Sequence, residues 1–160
     1  MTTGGGFSSD EMAAWRVNLM TWQIIERGLD RQLQRDSSMP HAYYGILVEL
    51  NEQQDRSLPI TRIASRLDYS QSRMSHAVDR LEEAGWVERL PDAADRRVTS
   101  IRLTGQGRLA YARASVGHVA EVRRVFFDAL DDRDLADLRR IGAKLFDGLR
   151  DGRGVPDGQH

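Results

Sequence analysis

Apolar residues recur at helical spacing along most of the 160-residue chain, a polar turn separates two short helical stretches near its middle, and a pair of short alternating stretches follows them. These three observations predict a mainly α fold: a winged helix-turn-helix with a two-stranded antiparallel wing, flanked by long N- and C-terminal helices. Residues 40–103 are expected to form the winged helix-turn-helix, a DNA-binding type of module, and 8–36 with 104–150 a helical dimerisation region.

Ser8-Ser-Asp-Glu11 offers caps for a first helix, with acidic groups near its positive end. Trp15, Leu19, Trp22, Ile25, Leu29 and Leu33 then follow helical spacing until the polar residues near Asp36. Pro40 suits the start of a second helix, whose apolar face carries Tyr43, Tyr44, Leu47, Val48 and Leu50. Asn51 to Ser57 is a polar connection, and Leu58-Pro59 leads into the central module.

In that module, Ile60, Ile63, Ala64 and Leu67 form the inward face of a short helix. Ser70 caps the next helix, which turns Met74, Ala77, Val78, Leu81 and Ala84 inward, and Gly85 ends it with a left-handed backbone. Trp86 to Leu90 and Val98 to Leu103 read as strands; the link between them is too short for a crossover, so they form an antiparallel hairpin. Thr104 caps a long helix through Leu109, Ala112, Val116, Val119, Phe126 and Leu130. After Asp131-Asp132, a last helix carries Leu135, Leu138, Ile141, Leu145 and Leu149. The outer helices hold more apolar stripe than a monomer of this size readily covers, which favours a homodimer over an intramolecular bundle.

The bulk composition narrows the function. The chain has a net charge of -1, yet the stretch from Arg56 to Arg108 holds ten arginines and seven acidic residues and is therefore +3. Nucleic-acid binding would depend on where arginines stand rather than on a broad positive field. Cysteine is absent, which excludes disulfides, thiolate ligands and a cysteine redox switch in this chain. No secretory pattern or apolar run of membrane-spanning length is present, so no membrane partner is expected and cytoplasm is the expected compartment.

On the second helix of the module, Gln71 and Arg73 have the geometry for bidentate contacts to adenine and guanine, while Ser72, Ser75 and His76 suit bases or phosphates in a major groove. Arg80, nearly two turns later, suits a DNA backbone contact. In the hairpin loop, Arg96 and Arg97 could reach a minor groove, with Asp95 orienting Arg97 or another wing arginine through an ion pair. The competing account is a solvated cluster of surface charge.

The segment Asp95-Arg96-Arg97-Val98-Thr99-Ser100-Ile101-Arg102-Leu103-Thr104 resembles the wing signature of the MarR family: Asp and Arg one residue apart, then Leu-Thr after five more. Ile63 to Leu67 and Ser70 to Gly85 resemble that family's paired helices, and the flanking helices occur in the same order. The resemblance implies a homodimeric transcriptional regulator, usually a repressor, binding a pseudo-palindromic operator in double-stranded DNA. It makes Arg97 the minor-groove arginine, Asp95 its orienting partner and Gln71 to His76 the major-groove readers. Two such helices would stand about 34 Å apart to read one DNA face. It also implies a small, aromatic or phenolic effector in a cleft between the dimer helices and the module, for which Trp15, Trp22, Tyr43 and Tyr44 supply aromatic walls and Arg16, His41 or Arg62 a carboxylate partner.

Two rival classes of function make other demands on the sequence. An enzyme would need a phosphate loop, a nucleophile elbow or a His-Glu-x-x-His helix; none occurs, His41, His76 and His118 are dispersed, and no catalytic residue, metal or cofactor is expected. A winged-helix protein-interaction scaffold would instead carry an apolar patch across the face holding Arg73, His76 and Arg80.

Overall fold

In a computed structural model that describes residues 6–91 and 97–150, Ser8 starts α1 (Ser9–Ser37) with a capping box. The Glu11 amide donates to Ser8 Oγ at 3.2 Å, and the Ser8 amide donates to the Glu11 carboxylate at 2.7 Å. Hydrogen bonding from the Ser8 amide, then from the Ser8 side chain, holds the Glu11 carboxyl below its ordinary range. Ser38 ends the helix in a left-handed conformation (φ 49°), its amide donating to the Gln34 carbonyl, and Pro40 precedes α2 (His41–Asn51).

The chain comprises two compact units, Met1–Val122 and Arg123–His160. The first contains α1, α2, β1 (Ser57–Pro59), α3 (Ile60–Arg66), α4 (Gln71–Glu83), β2 (Val87–Pro91), β3 (Thr99–Leu103) and α5 (Gly105–Val122). The second contains a π-helical segment (Arg123–Phe127) and α6 (Asp132–Arg150). The long helix expected to run on to Leu130 thus changes its hydrogen bonding at Arg123, and the Asp128 amide donates to the Arg123 carbonyl.

β1 is the element the sequence did not reveal. Three residues are too few for a readable alternation, and Pro59, which lacks an N–H, is tolerated there because β1 lies at a sheet edge. The sheet order is β1-β3-β2, antiparallel throughout, so the hairpin gains a third strand at its base. Leu58 pairs with Ile101 and Val87 with Leu103; all four are buried.

Around them pack the inward faces of α2, α3 and α4, including Leu47, Leu50, Ile63, Met74 and Leu81. Ala84, expected inward, is exposed because it is already the C-cap of α4, while Gly85 adopts the expected left-handed backbone (φ 71°). Thr104 fastens the base of the hairpin to α5. Its hydroxyl donates toward the carbonyls of Gly85 and Trp86, at 2.7 and 3.1 Å, and accepts from the Gly107 amide at 3.0 Å.

The apolar stripe of α1 divides in two. Ile25, Leu29 and Leu33 are buried within the chain, whereas Trp15, Leu19 and Trp22 are exposed. On α6, Leu138, Ile141, Leu145, Phe146 and Leu149 are likewise exposed. Among the described residues no helix is long and apolar enough to cross a membrane.

Candidate nucleic-acid interface

Ser70 sets the start of α4: its hydroxyl accepts from the Arg73 amide at 3.2 Å. Asp68, left-handed at φ 52°, reverses the chain after α3, and the Tyr69 amide then donates to the Ala64 carbonyl. Met74, Ala77, Val78 and Leu81 are buried beneath the helix. Gln71, Ser72, Arg73, Ser75 and His76 are all exposed on its other sides, as the helical spacing predicts. No acidic residue lies between Asp68 and Asp79, so the first two turns of α4 offer amide, hydroxyl, imidazole and guanidinium groups without a carboxylate.

The last turns differ in charge. Asp79, Glu82 and Glu83 would repel phosphate, but each has an arginine beside it. Arg80 donates to Glu83 at 2.8 Å; that bond, with the carboxylate's charge and Tyr43 nearby, raises the Arg80 pKa. A DNA phosphate would compete with Glu83 for Arg80.

Arg89, which the sequence did not single out, joins the hairpin to α4. As the cross-strand partner of Ile101, it shares the sheet face that packs toward the helix. Its guanidinium donates to Asp79 at 2.7 Å and to Glu82, and its backbone amide donates to Glu82 at 3.2 Å. Partial burial works against its charge, yet these hydrogen bonds prevail and raise its pKa. Only half of this arrangement was legible: Asp79 and Glu82, three apart, share a helix face, but no spacing connects them to a strand that folds back. Glu88 and Arg102 are direct cross-strand partners and form a further ion pair at 2.9 Å.

Arg97 is exposed two residues before the start of β3. Asp95 and Arg96 lie outside the described residues, so the expected orienting ion pair does too.

The seven residues suggested for an effector cleft are dispersed. Trp15, Arg16 and Trp22 are exposed on α1, and Arg62 is exposed on α3. Tyr43 lines a groove with Tyr69, Arg73, His76 and Arg80. Tyr44 and His41 meet instead at His118 of α5, with ring centroids 4.4 and 5.5 Å from it. Tyr44 also stacks on Tyr111 at 5.8 Å; burial, then Tyr111, pushes its hydroxyl up to about 12. A separate cleft of about 510 Å³ between the end of α1 and the start of α5 contains none of the seven; Asp36, Met39, Trp86, Leu109 and Arg113 are among its walls. Two of its walls are Trp86 and Arg113, an aromatic and a cationic residue that helical periodicity could not bring to one cleft from positions so far apart in sequence. Among the described residues, no cluster of three or more metal-ligating side chains occurs.

Comparison with known proteins agrees with this architecture. Residues 37–98 match the family model described as MarR family. The chain is similar to Sco3205, a MarR family transcriptional regulator from Streptomyces coelicolor whose structure was solved in complex with DNA: 39% identity over 92% of each chain, with a TM-score of 0.87. It is also similar to AbsC, a MarR family transcriptional regulator from the same organism, at 31% identity and a TM-score of 0.87 over 92% of this chain and 99% of AbsC. Similarity to the HTH-type transcriptional regulator PecS of Dickeya dadantii (strain 3937) is 29% identity over 103 residues, or 64% of this chain. The chain spans only 61% of the length of that curated relative. The helix order, the sheet that carries the hairpin and the likeness to Sco3205 over 92% of each chain together show that this chain belongs to the MarR family of transcriptional regulators.

Proposed function

We propose that the protein is a homodimeric regulator that binds a pseudo-palindromic operator in double-stranded DNA and acts as a repressor relieved by a small ligand. The observation that carries this reading is the acid-free, exposed first half of α4, supported by a 39% identical relative that was solved with DNA. In this reading Gln71, Ser72, Arg73, Ser75 and His76 enter the major groove, and Arg80 meets the backbone. Arg97 and Arg96 reach the neighbouring minor groove, with Asp95 orienting the wing. Residues 40–103 act as the DNA-binding domain. Residues 8–36 and 104–150 supply the dimer contacts, using the exposed stripes of α1 and α6. A cleft with Trp86 as an aromatic wall and Arg113 as a cation supports an aromatic acid as the effector class.

The test is a titration of genomic DNA fragments at several salt concentrations, with competitor DNA, comparing wild type with Arg73→Ala/Arg97→Ala. Selective binding with a two-fold footprint, weakened in a folded variant, supports the reading. Arg80→Ala, which removes the proposed backbone contact, should reduce the salt slope by about 0.9. Uniformly weak binding that ignores the substitutions would favour the protein-interaction scaffold.

A further inference from the structure

The guanidinium carbon of Arg73 lies 3.9 Å above the centre of the Tyr69 ring, within cation–π range. Tyr69 is itself anchored. It packs against the hydrophobic core, its amide is bonded to Ala64, and it sits between left-handed Asp68 and the N-cap Ser70. Arg73 is bound to the same turn through its own amide and the Ser70 hydroxyl. The planar side chain therefore rests on a platform that belongs to the turn rather than to α4.

From this geometry we propose that Tyr69 is a specificity-determining positioning residue, holding the Arg73 guanidinium in a fixed plane for bidentate reading of one base. The proposal rests on the reading that α4 enters a major groove. An unrestrained arginine has to freeze several side-chain torsions when it forms a two-bonded contact, and it can settle equally on a nearby phosphate. A guanidinium already held over an aromatic ring, its carbon 3.9 Å from the ring centre, has lost much of that freedom before binding. Its remaining N–H edge can address the O6/N7 edge of guanine, which is coplanar recognition and depends on orientation as well as charge. Tyr69 thus contributes to discrimination between bases, whereas affinity for phosphate, which needs only the charge, is indifferent to it.

The experiment first defines the preferred site by selection from genomic fragments, then measures binding to that site and to each single base-pair substitution. Wild type, Tyr69→Phe, Tyr69→Leu, Arg73→Ala and the Tyr69→Leu/Arg73→Ala double variant are compared, each checked for native circular dichroism. Tyr69→Phe should match wild type because it keeps the ring face. Tyr69→Leu should lose about three- to five-fold of the discrimination at the pair read by Arg73, as expected for an exposed cation–π contact. Its salt slope and non-specific binding should stay unchanged, and it should have no further effect once Arg73 is alanine. If Tyr69→Leu does not fold, Tyr69→Met, whose flexible side chain fills the same space without a ring, takes its place. Wild-type discrimination in the leucine or methionine variant, or equal weakening on every fragment, would overturn the platform role. Absence of any preferred site for the wild-type protein would overturn the groove reading and the platform with it.

Discussion

Arg89 of β2 and Asp79 of α4, ten residues apart, form an ion pair at 2.7 Å that holds the hairpin against the helix. With Glu82 on the same guanidinium, the pairing ties β2 to α4 and sets a cation beside two carboxylates that would otherwise repel DNA. Arg89→Met should lower DNA affinity and, after allowance for solvent screening, cost about 0.5–1 kcal/mol of stability. Removing Arg97 should matter less in that background, because a wing no longer held in place has less to lose. DNA titration and urea unfolding of the single and double variants measure both effects.

Gly107 approaches the hairpin so closely that a Cβ there would lie 2.0 Å from the Trp86 carbonyl oxygen. Alanine would gain roughly 1 kcal/mol of helix propensity. Overpacking against backbone costs about 1–3 kcal/mol or more, so the clash wins. Gly107→Ala should unfold at a lower urea concentration than wild type; an unchanged midpoint would refute the close approach.

Ser70 separates stability from binding. Ser70→Ala removes the cap on α4 and should cost about 1 kcal/mol. Ser70→Asp keeps a capping acceptor at the positive end of the helix and should remain as stable as wild type. It also places a carboxylate next to Gln71, Ser72 and Arg73, the proposed major-groove readers on an otherwise acid-free half of α4, so its affinity for DNA should fall. Thermal unfolding and fragment binding of the two variants should therefore rank them in opposite orders.

His118 links stability to pH. Burial, then the neighbouring His41, holds its pKa below the ordinary 6.5, and its Nδ1 is buried without a hydrogen-bond partner. Between the folded and the ordinary value, the unfolded chain binds a proton that the native protein refuses. Stability therefore falls as pH drops through that window, and the loss is complete below the folded value. Urea midpoints measured from about pH 7.5 to about pH 5 should decline, and His118→Leu should flatten the decline.

The exposed apolar side chains of α6 supply a test of assembly. Leu145 is 64% and Ile141 47% exposed within one chain, so glutamate at either position leaves the fold of that chain intact. If these residues pair with a second copy, Leu145→Glu should sediment as a monomer with native circular dichroism. It should also lose cooperative binding to a two-fold operator. Unchanged sedimentation would place the dimer contacts elsewhere.

Local chemistry made much of the molecule legible. The caps at Ser8, Ser70 and Thr104, the left-handed Gly85 and the helical stripe under α4 as far as Leu81 each act within a few residues, and each appears where its residues predict. The same is true of the polar first half of α4, because a buried face at helical spacing determines by exclusion which residues remain outside. The tertiary structure alone decided which distant side chains meet. It brought β1 to the hairpin, Arg89 to Asp79 and Glu82, and His41 and Tyr44 to His118, and it left Trp15 and Trp22 away from the cleft that Trp86 lines. Periodicity tells which side of an element faces inward, but not which partner it finds there; that depends on how the chain turns between elements.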